Sequence, residues 1–135
     1  MTEIKRIHHV AILVEEIDVA LAFWRDLGIE PAKVADMPQE NARIAFLPVA
    51  ETEIELVQPT TTDSSLYRFL KKHGPGMHHL CFEVTDLQGT IDQLKSKAVQ
   101  LINDHPELGE DGRLYTFIHP KSTGGVLIEL YQLAV

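Results

Sequence analysis

Four side chains stand at matched places in two similar stretches of this chain. Ile7-His8-His9-Val10-Ala11-Ile12-Leu13-Val14 recurs as Met77-His78-His79-Leu80-Cys81-Phe82-Glu83-Val84. Ile54-Glu55-Leu56-Val57-Gln58 recurs as Ile128-Glu129-Leu130-Tyr131-Gln132. Each half therefore offers one imidazole and one carboxylate: His9 with Glu55, 46 positions apart, and His79 with Glu129, 50 apart. Two copies of a small unit carrying His and Glu at equivalent positions can close around one divalent metal ion. Two His and two carboxylates leave positions open on a six-coordinate ion, where substrate oxygens can bind. Mixed nitrogen and oxygen ligation suits Zn, Co, Ni or Mn and does not choose among them.

Such ligands need strands to aim them. Side chains alternate faces along a strand. His8, Val10, Ile12 and Val14 share one face of the first strand, and His9, Ala11 and Leu13 the other. In the later copy His78, Leu80, Phe82 and Val84 lie opposite His79, Cys81 and Glu83. The continuously apolar faces are expected to pack on helices, so His9 and His79 are expected to point into a cleft among smaller or polar neighbours. Ile54, Leu56, Ile128 and Leu130 belong with the helices by the same rule, and Glu55 and Glu129 with the cleft. A single strand His is commonly just a satisfied buried ring, and a single strand Glu a solvated one. Their joint recurrence in register favours ligation. His8 and His78 share the repeat but face the other way and are read as structural.

The remaining pattern supplies those strands twice. Residues 7–14 read as a strand. Ile17, Leu21, Trp24 and Leu27 fall at helical spacing, with Asp18 near the helix start and Gly28 as its stop. Residues 29–34 read as a short strand, 36–41 as a polar loop, and 42–47 and 53–58 as two strands. Residues 64–72 form a linking helix that Gly74-Pro75-Gly76 breaks. Then come a strand at 78–84, a helix N-capped by Asp86, a short strand at 99–102, a polar loop over 103–112, and strands at 113–118 and 126–131 with Gly124-Gly125 between them. The reading is α+β: one domain over 1–135, made of two βαβββ modules (about 5–60 and 76–134) with a helical linker, forming a curved eight-stranded sheet with a cleft. Neither half alone buries enough apolar surface for stability, so a shared core is expected.

Composition narrows the partners. A formal net charge of −8 argues against nucleic acid and anionic membranes. Cys81 is the only cysteine, so no intrachain disulfide forms, which suits a reducing compartment. The short charged start, Met1 to Arg6, leads into no signal peptide or membrane-spanning run, and the cytosol is the expected location. Cys81 reads as a small buried residue rather than a nucleophile. His73, His105 and His119 lie in loops or at strand ends without partners at ligand spacing. No GxSxG, P-loop or GxGxxG occurs.

At these residues the chain resembles the vicinal oxygen chelate (glyoxalase-like) superfamily, and within it the methylmalonyl-CoA epimerase family, almost end to end. The likeness rests on Ile7-His8-His9-Val10-Ala11, on Ala45-Phe46-Leu47-Pro48 leading into Thr52-Glu53-Ile54-Glu55-Leu56, on Gly76-Met77-His78-His79-Leu80, and above all on the run from His119 through Pro120-Lys121-Ser122-Thr123-Gly124-Gly125 to Leu130. The resemblance implies paired βαβββ modules, a divalent metal on His9, Glu55, His79 and Glu129, an acyl-CoA substrate, and often a homodimer. Some members carry Gln at the place of Glu55. The implied chemistry is inversion at C2 of methylmalonyl-CoA, with the metal stabilising an enolate and a base on each face. Some relatives have a Glu, proposed as one base, in the strand before Glu55; the alignment puts Ile44 there, after Arg43. Glu129 is then expected to double as ligand and base, with Glu55 as its counterpart. For the CoA phosphates Lys121, Arg113, Lys71, Lys72 and Arg68 are available, although surface solvation explains each. Gly124-Gly125 allows close backbone approach to a ligand, and a tight turn explains it equally well.

Three other readings use the same fold. A glyoxalase I-type lyase has the same metal set and related enolate chemistry on a glutathione hemithioacetal; the His119-to-Leu130 run favours the epimerase. A non-enzymatic drug-sequestering protein usually lacks the metal set. An extradiol dioxygenase uses two His and one carboxylate on iron, usually in a longer chain.

Overall fold

The computed structural model describes residues 2–134. Their elements are β1 Ile4–Leu13, α1 Ile17–Asp26, β2 Lys33–Met37, β3 Ala42–Val49, β4 Thr52–Pro59, α2 Ser65–His73, β5 Gly76–Val84, α3 Leu87–Ser96, β6 Glu107–Leu108, β7 Leu114–Ile118 and β8 Ile128–Gln132. The order is βαβββ, a helix, then βαβββ again. Strands neighbour one another as β2-β3-β4-β1 in the first module and as β5-β8-β7-β6 in the second. In each, the strand entering the helix pairs in parallel with the module's last strand, and the other pairs are antiparallel. The chain divides into two compact units, one spanning His9–His78 and the other combining the residues up to His8 with those from His79 onward. These limits differ from those of the repeats, because β1 contributes to both units and α2 belongs to the first.

In the unit from His9 to His78 both sheet faces are covered. Val14, Ala45, Leu47 and Leu56 pack with Ile17 and Leu21 of α1. Ala11, Leu13, Ala42, Ile44 and Val57 pack with Leu70 of α2, with Leu66 and Phe69 beside them. In the other unit Val84, Ile118 and Leu130 pack with Leu87 and Ile91 of α3. Fully burying each Val, Ile or Leu among them contributes about 1.5–3 kcal/mol.

The helix starts also repeat. The Ile17 backbone N–H donates to Gln58 Oε1 at 2.9 Å, and the Leu87 N–H donates to Gln132 Oε1 at 2.8 Å. Those glutamines end the two recurring Ile-Glu-Leu runs, so the strand that carries each Glu also caps the helix of its module. Asp86 accepts from the Gly89 N–H at 3.1 Å as the expected N-cap, and Ser64 caps α2 through the Tyr67 N–H.

Three expectations need correction. The second strand runs over 33–37, not 29–34, because the Ile29 N–H closes the end of α1 on the Trp24 carbonyl and pairing with β3 begins only at the Ala32 N–H. It continues through Asp36, expected in a loop, until Pro38 opens a 3-10 turn. Residues 99–102 make one isolated bridge, Leu101 with Ile118, and the loop after them holds the short β6 and a 3-10 turn. Finally, the face bearing His9 is not lined by small or polar groups throughout: two and four residues on, Ala11 and Leu13 lie fully buried under α2.

Candidate functional site

Parallel register explains how each His meets its Glu. Ala11 pairs with Glu55, and Cys81 pairs with Glu129. His9 and His79 each stand two residues earlier on the same face, one side-chain step from the carboxylate of the adjoining strand. His9 Nδ1 lies 3.4 Å from Glu55 Oε2, and His79 Nε2 lies 2.9 Å from Glu129 Oε1. The environments are similar as well. His9 is 1% exposed, Glu55 9% and Glu129 5%, while His79 is half-buried. Burying a carboxylate costs several kcal/mol unless a partner compensates.

The repeat extends one strand further than the sequence reading reached. Phe46 pairs with Glu55 across β3 and β4, and Phe117 pairs with Glu129 across β7 and β8. The Phe117 ring stands edge-on to His79, centroids 5.5 Å apart. Beyond Phe46 the row continues to Lys33, whose Nζ lies 5.1 Å from the Phe46 ring centroid. Lys33 thus stands in the same cross-strand row as Glu55. Unequal connections hid the two phenylalanines: β3 and β4 meet in a two-residue turn, whereas a 3-10 turn and a glycine pair separate β7 from β8.

The other histidines fall outside these pairs. His8 stacks obliquely on Tyr131 at 4.8 Å, and His78 meets Phe69 edge-on at 4.7 Å. His73 ends α2 against Phe69. The His119 imidazole accepts from the Lys121 N–H. His105 departs from expectation, because it has carboxylate partners: Asp104 at 2.9 Å and Glu107 at 3.1 Å. Its pKa is raised, chiefly by the Asp104 hydrogen bond and then by the Glu107 charge, but the cluster is exposed. Cys81 is fully buried, as expected. Ile44 pairs with Val57 beneath α2 and offers no acid or base.

Of the five cations considered for phosphates, Arg68, Lys71, Lys72 and Lys121 are exposed. Arg113 lies over the Tyr131 ring at 4.9 Å. Gly124 and Gly125 both have positive φ in a turn that Thr123 ties to the Val126 N–H, so turn geometry accounts for them. One polar cluster lay unread in the sequence. Glu83, on the face of His79 and only 6% exposed, receives Arg6 Nε at 2.6 Å and has Lys5 Nζ at 3.4 Å. The Arg6 hydrogen bond holds its carboxyl below the usual range against the opposing effect of burial, with Lys5 adding to it.

A buried imidazole–carboxylate couple is a donor set that suits a borderline divalent cation, and each module supplies one. Among the described residues no helix is long and apolar enough to cross a membrane.

Residues 8–117 match the Glyoxalase/Bleomycin resistance protein/Dioxygenase superfamily, and the chain belongs to it. Eight strands and three helices in two βαβββ modules are the fold of its members. More particularly, the chain is 36% identical over 129 residues to the mitochondrial methylmalonyl-CoA epimerase of Mus musculus, covering 94% of this chain and 72% of that protein. It is 35% identical over 133 residues to the ethylmalonyl-CoA/methylmalonyl-CoA epimerase of Cereibacter sphaeroides, covering 96% and 99%. A Streptomyces coelicolor methylmalonyl-CoA epimerase variant, in complex with 2-nitronate-propionyl-CoA, matches with a TM-score of 0.86 at 30% identity over 98% of this chain and 97% of that one.

Proposed function

We propose that this chain is a metal-dependent epimerase that interconverts the (R) and (S) forms of methylmalonyl-CoA. One observation carries the reading: a His–Glu pair recurs at the same strand register in both modules. The likeness to proteins named for this activity supports it over nearly the whole chain. His9, Glu55, His79 and Glu129 would hold one divalent ion of the Co, Ni, Mn or Zn kind, with the two modules folded as a single domain. Such an ion supplies positive charge to thioester and carboxylate oxygens and so acidifies the C–H between them.

The residues then exchange one proton for another, with Glu129 starting as the carboxylate and Glu55 as the carboxylic acid. Glu129 removes the first from one face of C2, and the C–H electron pair delocalises into the thioester carbonyl. Glu55 delivers a proton to the opposite face of the planar carbon, and the roles exchange in reverse. Glu129 and Glu55 would thus each serve both as a ligand and as an acid–base group. Ile44 takes no part. Lys33, in the row of Glu55, offers a cation to the negatively charged acyl-CoA despite the acidity of the whole chain. We assign the protein to the cytosol, where a lone cysteine stays reduced, and to a homodimer.

The test is C2 proton exchange of methylmalonyl-CoA in deuterated water, with added Co and with chelator. Deuterium entering C2 only with the cation present supports the reading; no exchange under any condition overturns it. Turnover of methylglyoxal with glutathione would instead mark a glyoxalase I-type lyase.

A further inference from the structure

The cross-strand rows through the two glutamates match on both flanks. Glu55 stands between Ala11 and Phe46, and Glu129 stands between Cys81 and Phe117. Each carboxylate therefore has a small, fully buried neighbour on one side and a phenyl ring on the other. Directly opposite residues of antiparallel strands stand about 4.5–5.5 Å apart at Cβ, so each ring lies within reach of its carboxylate. Core packing is not what the two rings share. Phe46 packs partly on the cluster that Leu70 of α2 joins. Phe117 has no such cover, because β7 sends Leu114 and Ile118 to the α3 cluster and Phe117 lies on the other face. Both rings stay half-buried. Each is held from outside the core: Lys33 Nζ lies 5.1 Å from the Phe46 centroid, and His79 and Tyr115 stand edge-on to Phe117 with centroids 5.5 and 6.1 Å away. The surroundings differ and the phenyl recurs, as the His–Glu pair does.

We propose that Phe46 and Phe117 are the walls against which the methyl group at C2 rests, one for each epimer. The inference rests on the reading above, in which Glu129 and Glu55 serve opposite faces of C2. In an epimer whose C2–H points at one carboxylate, the methyl group leans toward the other, and inversion exchanges the two. The planar carbon of the enolate holds the methyl group between these positions. An enzyme that works in both directions therefore needs an apolar surface beside each carboxylate, and a single wall would favour one epimer. Phe46, beside Glu55, takes the methyl group of the epimer that Glu129 deprotonates. Phe117, beside Glu129, takes that of the epimer that Glu55 deprotonates. A phenyl ring gains from an alkyl contact and offers no hydrogen bond to a polar substituent, so the pair selects a short alkyl group at C2.

Initial rates with each epimer of methylmalonyl-CoA test this on the metal-loaded chain, together with calorimetric titration of malonyl-CoA, which lacks the methyl group. The equilibrium constant fixes the ratio of kcat/KM in the two directions, so a lost methyl contact shows in the ratio of the two KM values. Phe46→Ala shifts that ratio about three- to tenfold toward one epimer, and Phe117→Ala shifts it by a similar factor toward the other. Malonyl-CoA binds both variants as it binds wild type. Should an alanine variant fail to fold, Phe46→Leu and Phe117→Leu keep the strand faces apolar and show the same crossed shifts at smaller size. KM values that rise together for both epimers, shifts toward the same epimer, or malonyl-CoA binding weakened as much as that of methylmalonyl-CoA overturn the proposal. A wild type that epimerises neither form overturns the underlying reading, and this proposal with it.

Discussion

The two modules agree at their His–Glu pairs and disagree just beside them. Leu13, Ile44 and Val57 of the first occupy the positions that Glu83, Tyr115 and Tyr131 occupy in the second. The first three belong to the buried cluster that Leu70 of α2 joins. The second three lie in a polar and aromatic group: Glu83 holds Arg6 and Lys5, and Tyr131 stacks with His8 and Arg113. The same backbone therefore supports an apolar floor in one module and a charged one in the other. What the two share is the chemistry-bearing pair, which points to function as the common requirement, whereas the surroundings answer to whichever element covers them.

Substitutions that remove what is common should have the largest effects. Glu129→Gln and Glu55→Gln each lower the epimerisation rate by about 10²–10⁴-fold, the usual contribution of a positioned acid–base group. Metal analysis of Glu55→Gln should still find the ion, because an amide oxygen can replace one carboxylate ligand; full activity in that variant removes Glu55 from the mechanism. Exchanging what differs acts on folding instead. Leu13→Glu places a carboxylate under α2 with no cation of that cluster beside it and should cost about 4 kcal/mol at neutral pH, measured by urea denaturation. Glu83→Leu should cost less, about 2 kcal/mol, because Arg6 keeps access to solvent. Equal losses in the two variants would show that the floors are interchangeable.

Acid should expose the same contrast. Arg6 and Lys5 depress the Glu83 pKa, so the unfolded chain takes up that proton at a higher pH than the folded one. The stabilisation is complete above the ordinary value of 4.5 and fades as pH falls through the lower folded value. The stability gap between wild type and Glu83→Gln should thus be constant near neutrality and shrink below pH 4.5. A Leu13→Ala gap, which involves no titrating group, should not narrow there. The Asp104–His105 pair is present in every variant compared, so its titration cancels.

Strand alternation alone put His9 with Glu55 and His79 with Glu129 on shared faces, as the parallel register does, because period two is a local property of the backbone and the repeat doubled the signal. The halves that fold as compact units were not legible, since β1 is one continuous run in sequence yet contributes to both. The cover that α2 gives Leu13 and Val57 was missed for a related reason: Leu66, Phe69 and Leu70 announce an amphipathic helix without naming the sheet face it lies on. Arg6 and Glu83 are 77 residues apart, and no short-range pattern joins them. Lys33 went unnoticed because the β2 register depends on where α1 releases the chain, which is decided by the hydrogen bond from the Ile29 N–H to the Trp24 carbonyl.

That release point offers the smallest test of the comparison. Helices α1 and α3 end in the same hydrogen-bonded turn. The Gly28 and Ile29 N–H groups donate to the Arg25 and Trp24 carbonyls, and those of Ala98 and Val99 donate to Lys95 and Leu94, all at 2.9–3.0 Å. The turn requires positive φ at its exit residue, 100° at Gly28 and 62° at Ala98. Glycine accepts this region freely, whereas the Cβ of alanine crowds its own backbone there. The second module thus carries a strain that the first avoids. Ala98→Gly should raise stability by about 0.5–1 kcal/mol, relief of that strain outweighing the extra freedom of the unfolded chain. Gly28→Ala should cost about 1 kcal/mol, and a Cβ built at Gly28 meets nothing within 4 Å, so the loss would be backbone strain and not collision. Calorimetric melts of the two variants should shift in opposite directions; shifts of one sign would mean that the two helix ends are not equivalent after all.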